Sequence, residues 1–108
     1  MSDQLKVVEP AGILDGTKAA EFRQEIASCV QNGAQTILID FKDVTFMDSS
    51  GLGALVLALK TVRAAGTKLF ICSINDQIKM LFELTSMDRV FEIFPSRAAF
   101  EQDMLSKS

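Results

Sequence analysis

With 108 residues, 48% of them hydrophobic and 23% charged, the chain has the size and apolar content of a single domain built on one core. A formal charge of −3, with no cluster of Lys or Arg, leaves no electrostatic footprint for nucleic acid or anionic lipid, so the expected partners are proteins. Histidine is absent, which removes the commonest general base and the commonest zinc ligand together and favours an interaction domain over an enzyme, with no cofactor or metal of its own. The start Met1-Ser2-Asp3-Gln4 lacks the basic and apolar stretches of a signal peptide, so the cytoplasm is the expected compartment. The longest strongly apolar run, Leu52 to Leu59, falls well short of the roughly 20 residues that cross a bilayer, so no membrane span is expected. Cys29 and Cys72 have apolar neighbours and no metal-ligand spacing, and read as reduced core thiols.

Along the chain, Leu5 to Val8 and Ala11 to Leu14 are short apolar stretches separated by Glu9-Pro10. Proline has no N–H to give to a ladder, so an edge strand or a bulged one is expected here. From Thr17 to Gln31, Ala19, Phe22, Ile26, Cys29 and Val30 recur at helical spacing; Asp15 or Thr17 can cap the start, and Asn32-Gly33 supplies a left-handed stop. Thr36 to Phe41 and Lys68 to Cys72 show little polar alternation, as expected of central strands covered on both faces in a parallel sheet. Between them lies a helix over about Ser50 to Ala65, closed by Gly66; another runs from Asn75, a plausible N-cap, to about Thr85. Val90 to Phe94 reads as a strand, and Pro95-Ser96 leads into a last helix through Ala99, Phe100 and Leu105. This alternation makes right-handed βαβ units the economical topology. The expected fold is α/β, one domain over 1–108, with a mixed, mostly parallel sheet of four to five strands and about four helices.

Phe46-Met47-Asp48-Ser49-Ser50-Gly51-Leu52-Gly53 places a carboxylate and two hydroxyls where an apolar stretch gives way to a helix. One reading is capping, because Asp and Ser are favoured N-caps and glycines beside them permit a tight entry. A nucleophilic serine is another, but neither serine has the Gly-x-Ser-x-Gly pattern and no Ser-His-Asp relay can be assembled without histidine. Nucleotide binding is a third. Gly51-Leu52-Gly53 begins a Gly-x-Gly-x-x-Gly pattern, but Val56 holds its third glycine position and no P-loop Gly-Lys-Ser/Thr follows. The fourth reading is a phosphoacceptor at Ser50, whose phosphate of about −1.5 to −2 charges would sit on the unpaired N–H groups and partial positive charge of a helix start. A partner surface matched to neutral Ser50 would then meet new bulk and charge.

From Leu52, the residues Leu55, Val56, Leu59 and Val62 lie on one side of the helix and face the sheet. Leu57 points roughly opposite, sharing its side with Gly53 and Thr61. Two readings stand for it: an incidental exposed leucine, or a docking anchor beside a switchable serine.

At these residues the sequence closely resembles the STAS domain family, specifically the bacterial anti-sigma factor antagonists. The resemblance covers nearly the whole chain and rests on Phe46 to Gly53, on Gly12-Ile13-Leu14-Asp15 before the first helix, and on the Lys79-Met80-Leu81-Phe82 region. It implies a domain that binds an anti-sigma factor, itself a serine kinase, and so frees a sigma factor. Phosphorylation by the kinase turns such an antagonist off, and a metal-dependent PP2C-type phosphatase turns it on again. Carried over by position, Ser50 matches the phosphoacceptor. Asp15 and Asp48 match carboxylates beside it; Ser49, Gly51, Leu52 and Gly53 match its frame. ATP would belong to the partner kinase. The runner-up is a STAS-like scaffold in a stress-signalling complex or a transport regulator, which would use the same turn. Family members usually begin with a β-hairpin, and here only Met1 to Leu5 precede the matching strand, so a shortened first edge strand is expected. A sheet edge left unpaired in this way is one that weak self-association could cover.

Overall fold

The computed structural model describes residues 5–107. Six strands and four α-helices follow in the order β1 (Leu5–Val8), β2 (Ala11–Leu14), α1 (Gly16–Gln31), β3 (Thr36–Asp40), β4 (Asp43–Met47), α2 (Ser49–Ala64), β5 (Lys68–Cys72), α3 (Asp76–Leu84), β6 (Ile93–Phe94) and α4 (Arg97–Lys107), with a 3-10 turn at Met87–Arg89. The α/β expectation holds: a four-stranded sheet of order β1-β3-β5-β6 is parallel throughout, and β2 and β4 form a separate parallel pair. The two runs read as central strands, β3 and β5, are the interior strands of the larger sheet.

Strand alternation divides the core in two. Ile37, Ile39, Leu69 and Ile71 face one side of the large sheet, where Phe22 and Ile26 of α1, Leu55, Leu59 and Val62 of α2, and Ile78 and Phe82 of α3 complete the main core. Leu38, Phe70 and Cys72 face the other side, under Phe100 of α4. Each large apolar side chain fully withdrawn from water contributes roughly 2 kcal/mol, which is why α1 and α2 stay on the sheet. Cys29 is partly buried and Cys72 fully so; both are free thiols, and burial raises the pKa of each. The buried carboxylate of Asp40, at the end of β3, accepts a hydrogen bond from the Lys42 N–H at 3.0 Å and faces Lys42 Nζ at 3.4 Å.

Three details differ from the sequence reading. Glu9-Pro10 does not merely interrupt one strand: it separates β1, an edge of the large sheet, from β2, which belongs to the small one. A bulge between Gly12 and Ile13 bends β2 as well. A strand ahead of β1 would fall on residues 1–4, outside the described residues. Of Val90 to Phe94 only Ile93 and Phe94 pair, because the 3-10 turn holds the chain up to Arg89 and Val90 is exposed. And β4 was not expected.

Candidate functional site

The pairing of β2 with β4 builds the site. Leu14 and Met47 lie opposite each other in register, so both strands end together and the two helices that follow begin side by side. Asp15 and Asp48 occupy the equivalent positions, each extended and each an N-cap. Asp15 Oδ1 accepts from the Thr17 N–H at 2.9 Å and from the Thr17 hydroxyl at 2.6 Å. That hydroxyl bond is the main reason the Asp15 carboxyl titrates below its ordinary value, against desolvation, which pushes the other way. Asp48 Oδ1 accepts from the Gly51 N–H at 2.9 Å. An ionised carboxylate is the stronger acceptor for a helix-start N–H, and it takes the role at both junctions.

Asp48 is therefore the cap of α2, and neither serine is. Ser49 and Ser50 are both exposed in the first turn. Neither hydroxyl takes part in a hydrogen bond formed among the described residues, so Ser50 presents an unengaged Oγ. Loss of the cap is measurable: Asp48→Ala is expected to cost about 1 kcal/mol of stability and Asp48→Asn much less, read by chemical denaturation of the two variants beside wild type.

Gly51 is buried, and its lack of a side chain is a packing requirement. A Cβ there would overlap the carbonyl oxygen of Leu14, 3.0 Å from that carbonyl carbon and 3.1 Å from Met47 Cγ. Gly51 thus lets the first turn of α2 sit directly on the end of β2. Gly16 is under no such requirement: a Cβ there would stand 3.7 Å from Ser50 Oγ, an ordinary van der Waals contact, which places the start of α1 beside Ser50. From there an open groove of about 610 Å³ runs between α1 and α2, walled at its far side by Thr85 and Met87. Ser50, Leu52, Gly53 and Leu57 all line it. Leu57 is 47% exposed, while Leu52 is 6% exposed and belongs to the groove floor. Ser49 stands outside the groove, and Asp15 and Asp48 lie at the helix starts.

Sequence reasoning missed the other wall. Ala19 and Arg23 from α1, and Thr85 and Met87 from beyond α3, line the groove with no local motif to announce them. The seven-residue spacing of Gly16 to Arg23, equal to that of Ser50 to Leu57, was the available signal, since two parallel helices starting together keep equal spacings in step. Also missed was the support behind the turn: Gln77 Nε2 donates to the Met47 carbonyl at 2.8 Å, and its Oε1 accepts from the Met47 N–H at 2.9 Å. Asn75, the N-cap of α3, gives its Nδ2 to the carbonyls of Val44 at 3.3 Å and Thr45 at 3.1 Å.

Two parallel strand-helix junctions with paired acidic caps and an exposed serine at the mouth of an interhelical groove define a small α/β module. The chain belongs to the STAS domain family, whose model matches residues 2–99. A curated relative, an anti-sigma-B factor antagonist of Staphylococcus aureus, is 30% identical over 91 residues, 84% of each chain. Among solved structures, a candidate anti-sigma factor antagonist of Thermotoga maritima superposes with a TM-score of 0.85 at 24% identity, over 94% of this chain and 87% of that one. The Bacillus cell-fate determinant SpoIIAA in its phosphorylated form gives 0.70 at 20% identity, over 93% and 91%. The STAS domain of a Vibrio cholerae SulP transporter has the same fold, with a TM-score of 0.77 at 20% identity over 95% and 83%. Among the described residues, no helix is long and apolar enough to cross a membrane.

Proposed function

We propose that this STAS domain is an anti-sigma factor antagonist. It binds an anti-sigma factor that is also a serine kinase, releasing a sigma factor in the cytoplasm. Phosphorylation of Ser50 ends the interaction, and a PP2C-type phosphatase restores it. The domain contributes a binding surface and a phosphoacceptor, and the catalysis belongs to its partners. The observation that carries this reading is that Asp48 does the capping, which leaves the exposed Ser50 hydroxyl unengaged at the head of the groove that Leu57 lines. A phosphate there meets the N-termini of α1 and α2 together, so the modified domain tolerates it while a docked partner does not. The Staphylococcus aureus relative supports the role.

Incubated with its cognate kinase and ATP, the protein should gain one phosphate on the peptide containing Ser50, read by mass spectrometry. Ser50→Ala should abolish that gain and keep partner binding; undiminished phosphorylation of Ser50→Ala sinks the assignment. Leu57→Ala should weaken the complex about tenfold with no change in melting midpoint, because Leu57 is exposed and outside the core. The fold shared with a transporter's STAS domain favours the alternative of a scaffold or transport regulator. A pull-down separates the two: a kinase-like anti-sigma factor supports the antagonist, other STAS proteins or a transporter the alternative.

A further inference from the structure

The α1–α2 groove has apolar and small neutral lining throughout except at one place. Arg23 is its only charged lining residue among the described ones, and it joins none of the ion pairs formed there. Gly16 meets Ser50 at one end, while Arg23 and Leu57 lie seven residues further along their helices, two turns or about 10.5 Å away. Helical side chains tilt toward their own N-terminus, so a side chain as long as that of Arg23, on the wall of the same groove, can extend back toward Ser50. The path is clear, because Ala19, one turn earlier on α1, contributes a methyl group and Gly53 on α2 contributes none. Gly16 in turn leaves open the space beside Ser50 Oγ.

We propose that Arg23 is the internal receptor for a phosphate on Ser50: guanidinium and phosphate pair along the groove and close its apolar floor to a partner. The inference rests on Ser50 as the phosphoacceptor and gives the switch a mechanism beyond bulk and repulsion. An arginine fork matches phosphate oxygens bidentately, and a pair at the surface of an apolar groove is screened less than one in open water. The other charged groups at this end are the capping carboxylates of Asp15 and Asp48, which oppose the phosphate, and the exposed Lys18 of the first turn of α1; Thr85 and Met87 on the far wall are neutral.

The test needs no kinase. Phosphoserine is installed at position 50 during synthesis, and the phosphate is titrated by phosphorus NMR in the wild-type, Arg23→Gln and Arg23→Lys backgrounds. Arg23 is exposed, so both substitutions preserve the fold. The second phosphate pKa should lie about 0.5 lower with Arg23 than with Gln. Lysine should keep part of that difference, and about 0.5 M salt should shrink it. Equal values with Arg23 and Gln overturn the proposal. Because the phosphate is placed chemically, that result leaves Ser50 standing as a kinase substrate, and a kinase that ignores Ser50 leaves the measured pairing standing.

Discussion

Gly51→Ala is expected to be the most damaging single-methyl change in the site, costing about 3 kcal/mol and lowering the melting midpoint by about 15 °C in a domain of this size. The new Cβ would overlap the backbone oxygen of Leu14, and backbone cannot swing aside as the end of a side chain can. Relief requires α2 to lift from β2, yet Leu55, Leu59 and Val62 hold that helix on the main core and the Asp48 cap fixes its first turn. Gly53→Ala, two residues on, should do the opposite. A Cβ there meets nothing within 4 Å, and alanine in an exposed helical position is favoured over glycine by about 1 kcal/mol, raising the midpoint by about 5 °C. Differential scanning calorimetry on the two variants decides it. A Gly51→Ala midpoint within about 2 °C of wild type would mean that the junction is not closed as described. Since Gly53 lines the groove, its alanine variant also dissociates stability from docking: a more stable domain with a shallower groove.

That contrast marks what a sequence can carry. Gly51 and Gly53 look alike in the run Ser50-Gly51-Leu52-Gly53, and only the register of β2 with β4 makes one of them indispensable. The helices and the two central strands were legible, since Asp15, Asp48 and Asn75 carry cap chemistry locally and β3 and β5 are continuous apolar runs. The glycines after α1 and α2, Gly33 and Gly66, adopt the positive φ that their places in the sequence imply. β4 was not legible. Its buried residues, Val44 and Met47, are three apart, while Phe46 is 44% exposed, so the period-2 signature of a strand is lost. Its partner β2 lies some thirty residues away, and the bulge after Gly12 puts the pairing out of simple step. Ser50 and Leu57 could be picked out from a helix drawn on paper. The α1 wall with Arg23 depended on tertiary placement, whereas the α2 cap is a local bond from the Gly51 N–H to Asp48, for which the neighbouring serines were equally eligible by residue type. Once Asp48 takes the cap, the structural and functional readings of the turn cease to compete, because they fall on different residues.

Gln77→Leu should loosen the same turn from behind, by a route unrelated to sterics. β4 pairs with β2 along one edge only, and on the other the side chain of Gln77 stands in for a strand, giving Met47 one donor and one acceptor at 2.8 and 2.9 Å. Asn75 extends the same cover to the carbonyls of Val44 and Thr45, which also denies that edge to a foreign strand. Met47 is fully buried at its side chain, so water cannot simply replace the lost partners. Leaving a peptide N–H and C=O unsatisfied together costs about 3 kcal/mol. Native-state hydrogen exchange at the Met47 amide should accelerate about 100-fold, with the opening reaching Asp48 and therefore the position of Ser50. Gln77→Glu separates the two bonds, because a carboxylate still accepts from the Met47 N–H but has no proton for its carbonyl. Its exchange should fall between wild type and Gln77→Leu. If the Met47 amide stays as protected in Gln77→Leu as in wild type, the turn is held by the Leu14 pairing alone; if protection is lost, α3 sets the rigidity of the serine's platform, although none of its residues reaches the groove.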